Sequence, residues 1–148
     1  MTVLFDTDPR YPGYEFSNLD PTLEFDHLAR EVQDNLCSYL DSTSPQQRSL
    51  CLVNIESAIG LMLEMLDDHE SLRQVLKELC RHMPELMFVP EFEHRLIDLG
   101  KRVCGNCVML TWCQDYALGN PDIADDGIWA GKTASERSQA ASISANAS

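Results

Sequence analysis

Six cysteines lie in this 148-residue chain, and the spacing of three of them is the feature best suited to chemistry. Cys104-Gly105-Asn106-Cys107 sets two thiols around a short turn, and Cys113 follows closely. Two thiols so spaced can chelate one metal centre, because the intervening backbone turns back on itself and Gly105 relaxes the dihedral limits. A tetrahedral or cubane site wants four ligands, so a fourth must come from elsewhere. Cys80 is the candidate, at the end of a predicted helix and just before a loop bracketed by Pro84 and Pro90. Thiolate sets suit zinc as well as iron–sulfur clusters, so spacing alone leaves the metal open. A thiol–disulfide exchange pair made of Cys104 and Cys107 is a third option, but it calls for a βαβ context that the pattern lacks. Cys37 and Cys51 fall inside N-terminal helices and read as small buried hydrophobes. His82 and His94 read as ordinary loop or surface histidines, although imidazole could complete a mixed site.

The elements that must position these thiols are helical. Asp20-Pro21 supplies an N-cap and a proline at the first helical position, and Phe25, Leu28, Val32, Leu36 and Tyr39 recur at helical spacing, predicting a helix over about 20–40. Ser42-Thr43-Ser44-Pro45 breaks it and opens a second helix over about 45–66. That helix is apolar on so many faces that it must be central to a bundle or form a partner surface. A third helix is predicted over about 69–81, then the loop MPELMFVP, then a helix over about 92–103. Another helix follows Cys107 and stops at Gly119-Asn120-Pro121. Thr133-Ala134-Ser135-Glu136 fits a capping box for a last short helix, and the uncharged tail beyond residue 137 reads as disordered. No strand pattern emerges. The expected fold class is all-α: an acidic helical extension over 1–74, a small helical cluster-binding domain over 75–137 and a tail over 138–148.

Charge narrows the partners. The net charge of −13 is concentrated in residues 1–79, where 15 acids face 5 Lys or Arg; residues 80–148 hold 9 acids and 6 Lys or Arg. Such a chain has little sequence-independent attraction for nucleic acid, because that attraction comes from cations neutralising phosphates. No long apolar run or signal-peptide pattern is visible, so a cytoplasmic protein with reduced thiols and no membrane association is expected. No Ser–His–Asp set, P-loop or dinucleotide fingerprint appears, which argues against an enzyme with a small-molecule substrate.

With LCRHMPELMFVP, KRVCGNC, CQDYAL, GIWAG and SER on the page in that order, residues 75–137 resemble the WhiB-like proteins of actinobacteria and their phages. The resemblance implies a 4Fe–4S cluster on Cys80, Cys104, Cys107 and Cys113, and a transcription regulator whose partner is the principal RNA polymerase sigma factor. It also implies cluster chemistry that responds to oxygen or nitric oxide. The turn Gly127, Ile128, Trp129, Ala130 and Gly131 would help form the sigma contact, with Trp129 either the projecting anchor or a core residue closing the cluster pocket; Phe88 shares that choice, and Phe88 and Met87 are expected mainly to pack on the cluster side. Trp112 and Tyr116 are expected in helix core. Amide donors to the sulfurs are expected from 81–91, from 104–108 and from the start of the next helix. The sequence departs from the family pattern at Val108, where proline is usual, and at GIWAG, where GIWGG or GVWGG is commoner. The tryptophan often found shortly before the first cysteine is also missing, since 70–79 reads ESLRQVLKEL. Many members carry a basic DNA-contacting tail; here only Lys132 and Arg137 could serve, so DNA contact is expected to be weak or indirect.

Overall fold

The computed structural model describes residues 20–146, and the irregular arm expected for 1–19 lies outside the described residues. Helix α1 spans Pro21–Asp41, begun by the Asp20 carboxylate accepting from the Thr22 amide at 2.8 Å. Its stripe of Phe25, Leu28, Val32, Leu36 and Tyr39 is buried. Helix α2, Pro45–Asp68, is capped by Ser44 and folds straight back on α1 after the Ser42–Ser44 connection. These two helices share the most extensive contact in the fold. Ile55, Ile59, Met62 and Leu66 of α2 fill the space against α1, each at most 1 % exposed. Fully burying a side chain of this kind contributes about 1.5–3 kcal/mol, so the pairing is held by its core. By length and composition α2 could cross a membrane; here one side of it is core, while Leu50, Val53 and Leu61 stand exposed on the other.

The third helix is shorter than expected. Helix α3 covers only Glu70–Leu76, because Lys77 adopts a positive φ of 53° that stops the helix. The chain then makes two 3-10 turns, Leu79–His82 and Pro84–Phe88. Leu79, Met83 and Leu86 of these turns are buried and join the α1–α2 core to helix α4, His94–Gly105. Tyr39 and Arg48 fasten the same junction, donating to the two oxygens of Glu93 at 2.6 and 2.9 Å. Helix α5 runs Leu110–Gly119, and helix α6 runs Ala134–Asn146. The capping box at the head of α6 forms as expected: the Thr133 amide donates to Glu136 at 2.8 Å, and the Glu136 amide donates to Thr133 at 3.2 Å. The helix nevertheless continues through most of the segment expected to be a disordered tail. No Gly or Pro interrupts that stretch, and its residues 138–143 are all exposed. Among the described residues the class is all-α, with one isolated bridge between Trp129 and Lys132. One continuous core runs from Phe25 of α1 to Ile128.

Candidate metal centre

Each of the four predicted thiols arrives on a different piece of backbone. Cys80 lies on the first 3-10 turn, Cys104 on the last turn of α4, Cys107 in the connection that follows, and Cys113 in the first turns of α5. Cys80 was expected at a helix end; the positive φ of Lys77 turns the chain there instead. The Lys77 carbonyl accepts from the Cys107 thiol at 3.3 Å, which ties the break to the site. Arg73 secures the Cys104–Cys107 connection by donating to the Asn106 carbonyl at 2.8 Å and to Asp67 at 2.8 Å.

All four thiols line one cavity of about 520 Å³, walled by apolar side chains that include Met87, Phe88, Leu110, Trp112 and Trp129. They are close enough that each of the six possible pairs among the four is electrostatically coupled. Cys104 is buried, and its thiol is pushed up to about 11, chiefly by loss of solvent and against the pull of a Gly131 amide. Burial is also the leading cause of the upward shifts at Cys80 and Cys113, although part of Cys80 touches solvent. An exchange nucleophile needs the opposite shift.

Two of the amides that face the sulfurs come from an unexpected place, the third from the helix start where a donor was expected. Gly131 lies against Cys104, where an added Cβ would fall 3.8 Å from the cysteine Cβ, and Ala130 shares the cavity wall with Cys113; the backbone amides of the two draw the respective thiols downward. The Met109 amide, just before α5, donates to Cys107 at 3.4 Å. The first two lie in the turn expected to make a partner contact. That turn is a tight reversal in which Trp129 and Lys132 exchange both backbone hydrogen bonds at 3.0 Å. Ala130 and Gly131 between them have φ of 53° and 77°, the signature of a type I′ turn.

The remaining predicted residues fall into two groups. Gly127 sits against Phe88, and Ile128 is buried, its amide donating to the Met87 carbonyl at 2.7 Å. Ile128 is therefore core rather than contact surface. Trp129 is half-buried and Phe88 is 55 % exposed. Trp112 and Tyr116 were expected in helix core; instead Trp112 is 53 % exposed and stacks on Tyr116, which stacks on Trp129, with centroids 5.1 and 5.8 Å apart. Lys132 is exposed. Arg137, expected to reach toward DNA, is turned inward and donates to the carbonyls of Ala124, Gly127 and Lys132 at 2.8, 3.0 and 2.5 Å. Cys51 is buried as expected, whereas Cys37 is exposed and donates to Glu85 at 3.2 Å. His82 pairs with Asp26 at 2.8 Å and lies edge-on to Phe25; neither His82 nor the exposed His94 lines the cavity.

Sequence reading missed Arg73, Lys77 and the inward turn of Arg137. Arg73 and Lys77 carry no motif, and Arg137, the last residue of SER, gives no sign in sequence of its carbonyl partners.

The donor set suits an iron–sulfur cluster, and thiolates suit zinc as well: four thiols around an apolar space, with the Met109 amide donating to one of them. Among the described residues no group of three or more His, Cys, Asp or Glu side chains converges to hold a single ion. Residues 75–140, a little under half the chain, match the family model of the transcription factor WhiB. No curated protein and no solved structure matches the chain. The matched span carries all four cavity thiols, the Gly127–Gly131 turn and the head of α6, and leaves α1 and α2 outside.

Proposed function

We propose that this chain is a cytoplasmic transcription regulator that holds a 4Fe–4S cluster on Cys80, Cys104, Cys107 and Cys113 and binds the principal RNA polymerase sigma factor. The single observation that carries this reading is the convergence of those four thiols, from four separate backbone segments, on one apolar cavity. When bound, the cluster supplies one-electron redox chemistry and iron that oxygen or nitric oxide can attack.

The chain's own residues make such a site tenable. Four thiolates bring negative charge into a space poor in water, a costly arrangement unless donors face the sulfurs. The amides of Ala130, Gly131 and Met109 do so, and the Arg137 guanidinium attracts the Cys113 thiolate. Phe88, Trp112 and Trp129 at the cavity mouth keep water back and offer the aromatic surface typical of interface hot spots. A docked sigma factor would cover that mouth and slow the access of oxidants. Lys132 is the one candidate DNA contact still facing outward, so promoter choice is assigned mainly to the protein partner. Zinc as a structural staple is the alternative that the same four thiols could serve, and metal analysis separates the two.

The test is anaerobic co-purification with the sigma factor, with iron and sulfide measured on the complex. A complex that forms equally well after the cluster is removed, or no complex at all, contradicts the reading.

A further inference from the structure

Among the described side chains of helix α6, those of its first turn fasten it to the rest of the protein. Glu136 pairs with Lys101 of α4 at 2.9 Å, and Ser135 donates to Glu91 at 2.8 Å. Arg137 then reaches back under the Gly127–Gly131 turn. Its two terminal nitrogens meet carbonyls on both sides of the reversal: Ala124 at 2.8 Å, Gly127 at 3.0 Å and Asp126 at 3.4 Å before it, and Lys132 at 2.5 Å after it. From residue 138 to 143 every side chain is exposed.

We infer that Arg137 is the positioning residue of the metal centre, a guanidinium latch that closes the turn so that the Ala130 and Gly131 amides meet Cys113 and Cys104. This rests on the proposed cluster for its redox consequence, though not for its geometry. Carbonyls before and after a reversal are gripped together best by a donor whose several N–H groups are held apart in one plane. Arginine has five in a fixed fork, and lysine is a compact point donor. The turn needs such a grip, because Ala130 occupies a left-handed conformation that costs about 1–2 kcal/mol in a residue with a Cβ. With the latch open, relaxation of Ala130 swings its amide and that of Gly131 away from the sulfurs. Amide–sulfur bonds stabilise the more negative, reduced cluster, so losing them lowers the reduction potential.

The experiment compares the anaerobically purified full chain with Arg137→Gln, Arg137→Lys and the neighbouring surface variant Lys132→Ala. It reads amide hydrogen exchange across 128–132 and the cluster's reduction potential. Both Arg137 variants are expected to keep their iron when fresh, exchange at 130 and 131 at least tenfold faster, and show a lower potential; Lys132→Ala should match wild type. Wild-type exchange and potential in both Arg137 variants would overturn the inference, as would faster exchange spread evenly through α1 and α2. A wild-type chain without iron and sulfide would refute the proposed cluster, while exchange at the turn would still judge the latch.

Discussion

Gly127 and Phe88 are packed so tightly that a Cβ on the glycine would fall 2.5 Å from the phenylalanine ring and 2.9 Å from the Met87 carbonyl oxygen. This contact presses the turn that faces the thiols onto the second 3-10 turn. Gly127 also has a φ of +79°, which side chains other than glycine rarely adopt. Gly127→Ala is therefore expected to destabilise by roughly 3 kcal/mol, combining backbone strain with a clash that cannot relax cheaply. Gly119→Ala, where nothing lies within 4 Å of the added atom, should stay within about 0.5 kcal/mol of wild type. Urea denaturation of the two variants checks both values; equal stabilities would show that the turn is not pinned at Gly127.

Ala130 carries the opposite lesson. Its φ of 53° is left-handed, and a Gly there removes the Cβ strain. Ala130→Gly loses some stability through a freer unfolded chain, yet should gain about 0.5 kcal/mol net, because strain relief outweighs that entropy. A shift of the thermal midpoint to lower temperature would contradict the turn geometry.

Cys104 makes the metal-free chain sensitive to alkali. Its thiol is raised from 9.0 to about 11, so the folded state retains its proton after the unfolded state has begun to lose one. The associated stability is fully present below pH 9, declines as pH rises, and is gone above about pH 11. A two-unit shift corresponds to roughly 3 kcal/mol at most. Denaturation of metal-free protein at pH 7 and pH 10.5 should show this loss in wild type and a smaller one in Cys104→Ser. Parallel curves would mean that the thiol is not desolvated.

DNA binding by the chain alone should be weak and shallow in its dependence on salt. The net charge is −13, and the Arg137 guanidinium is engaged with carbonyls. Lys132→Ala should reduce the salt slope by no more than about one unit. A steep slope, several phosphates deep, would show that a basic surface exists which Lys132 and Arg137 do not explain.

How far the sequence carried varies with the kind of interaction. Helices α1 and α2 were legible because their caps and apolar stripes are local, and Asp20 and Ser44 cap where their chemistry suggests. The four thiols were legible as a set through their spacing and the resemblance, and they line one cavity. The end of α3 was not legible, since nothing in a lysine announces the positive φ of Lys77. Arg137 read as a tail cation because charge is visible in sequence and carbonyl partners are not. Trp112 read as core from its apolar character, yet it stands on the rim in a stack that depends on where Tyr116 and Trp129 lie. The amides of Ala130 and Gly131 were missed for the same reason, since backbone donors have no letter, whereas Met109 donates from the helix start where a donor was expected.

The central claim is tested most directly by iron, sulfide and zinc content per chain, measured after anaerobic purification of wild type and single Cys→Ala variants. About four irons and four sulfides are expected in wild type, Cys37→Ala and Cys51→Ala, with loss of both in the variants at 80, 104, 107 and 113. One zinc without sulfide, or an intact cluster in Cys80→Ala, would contradict the account.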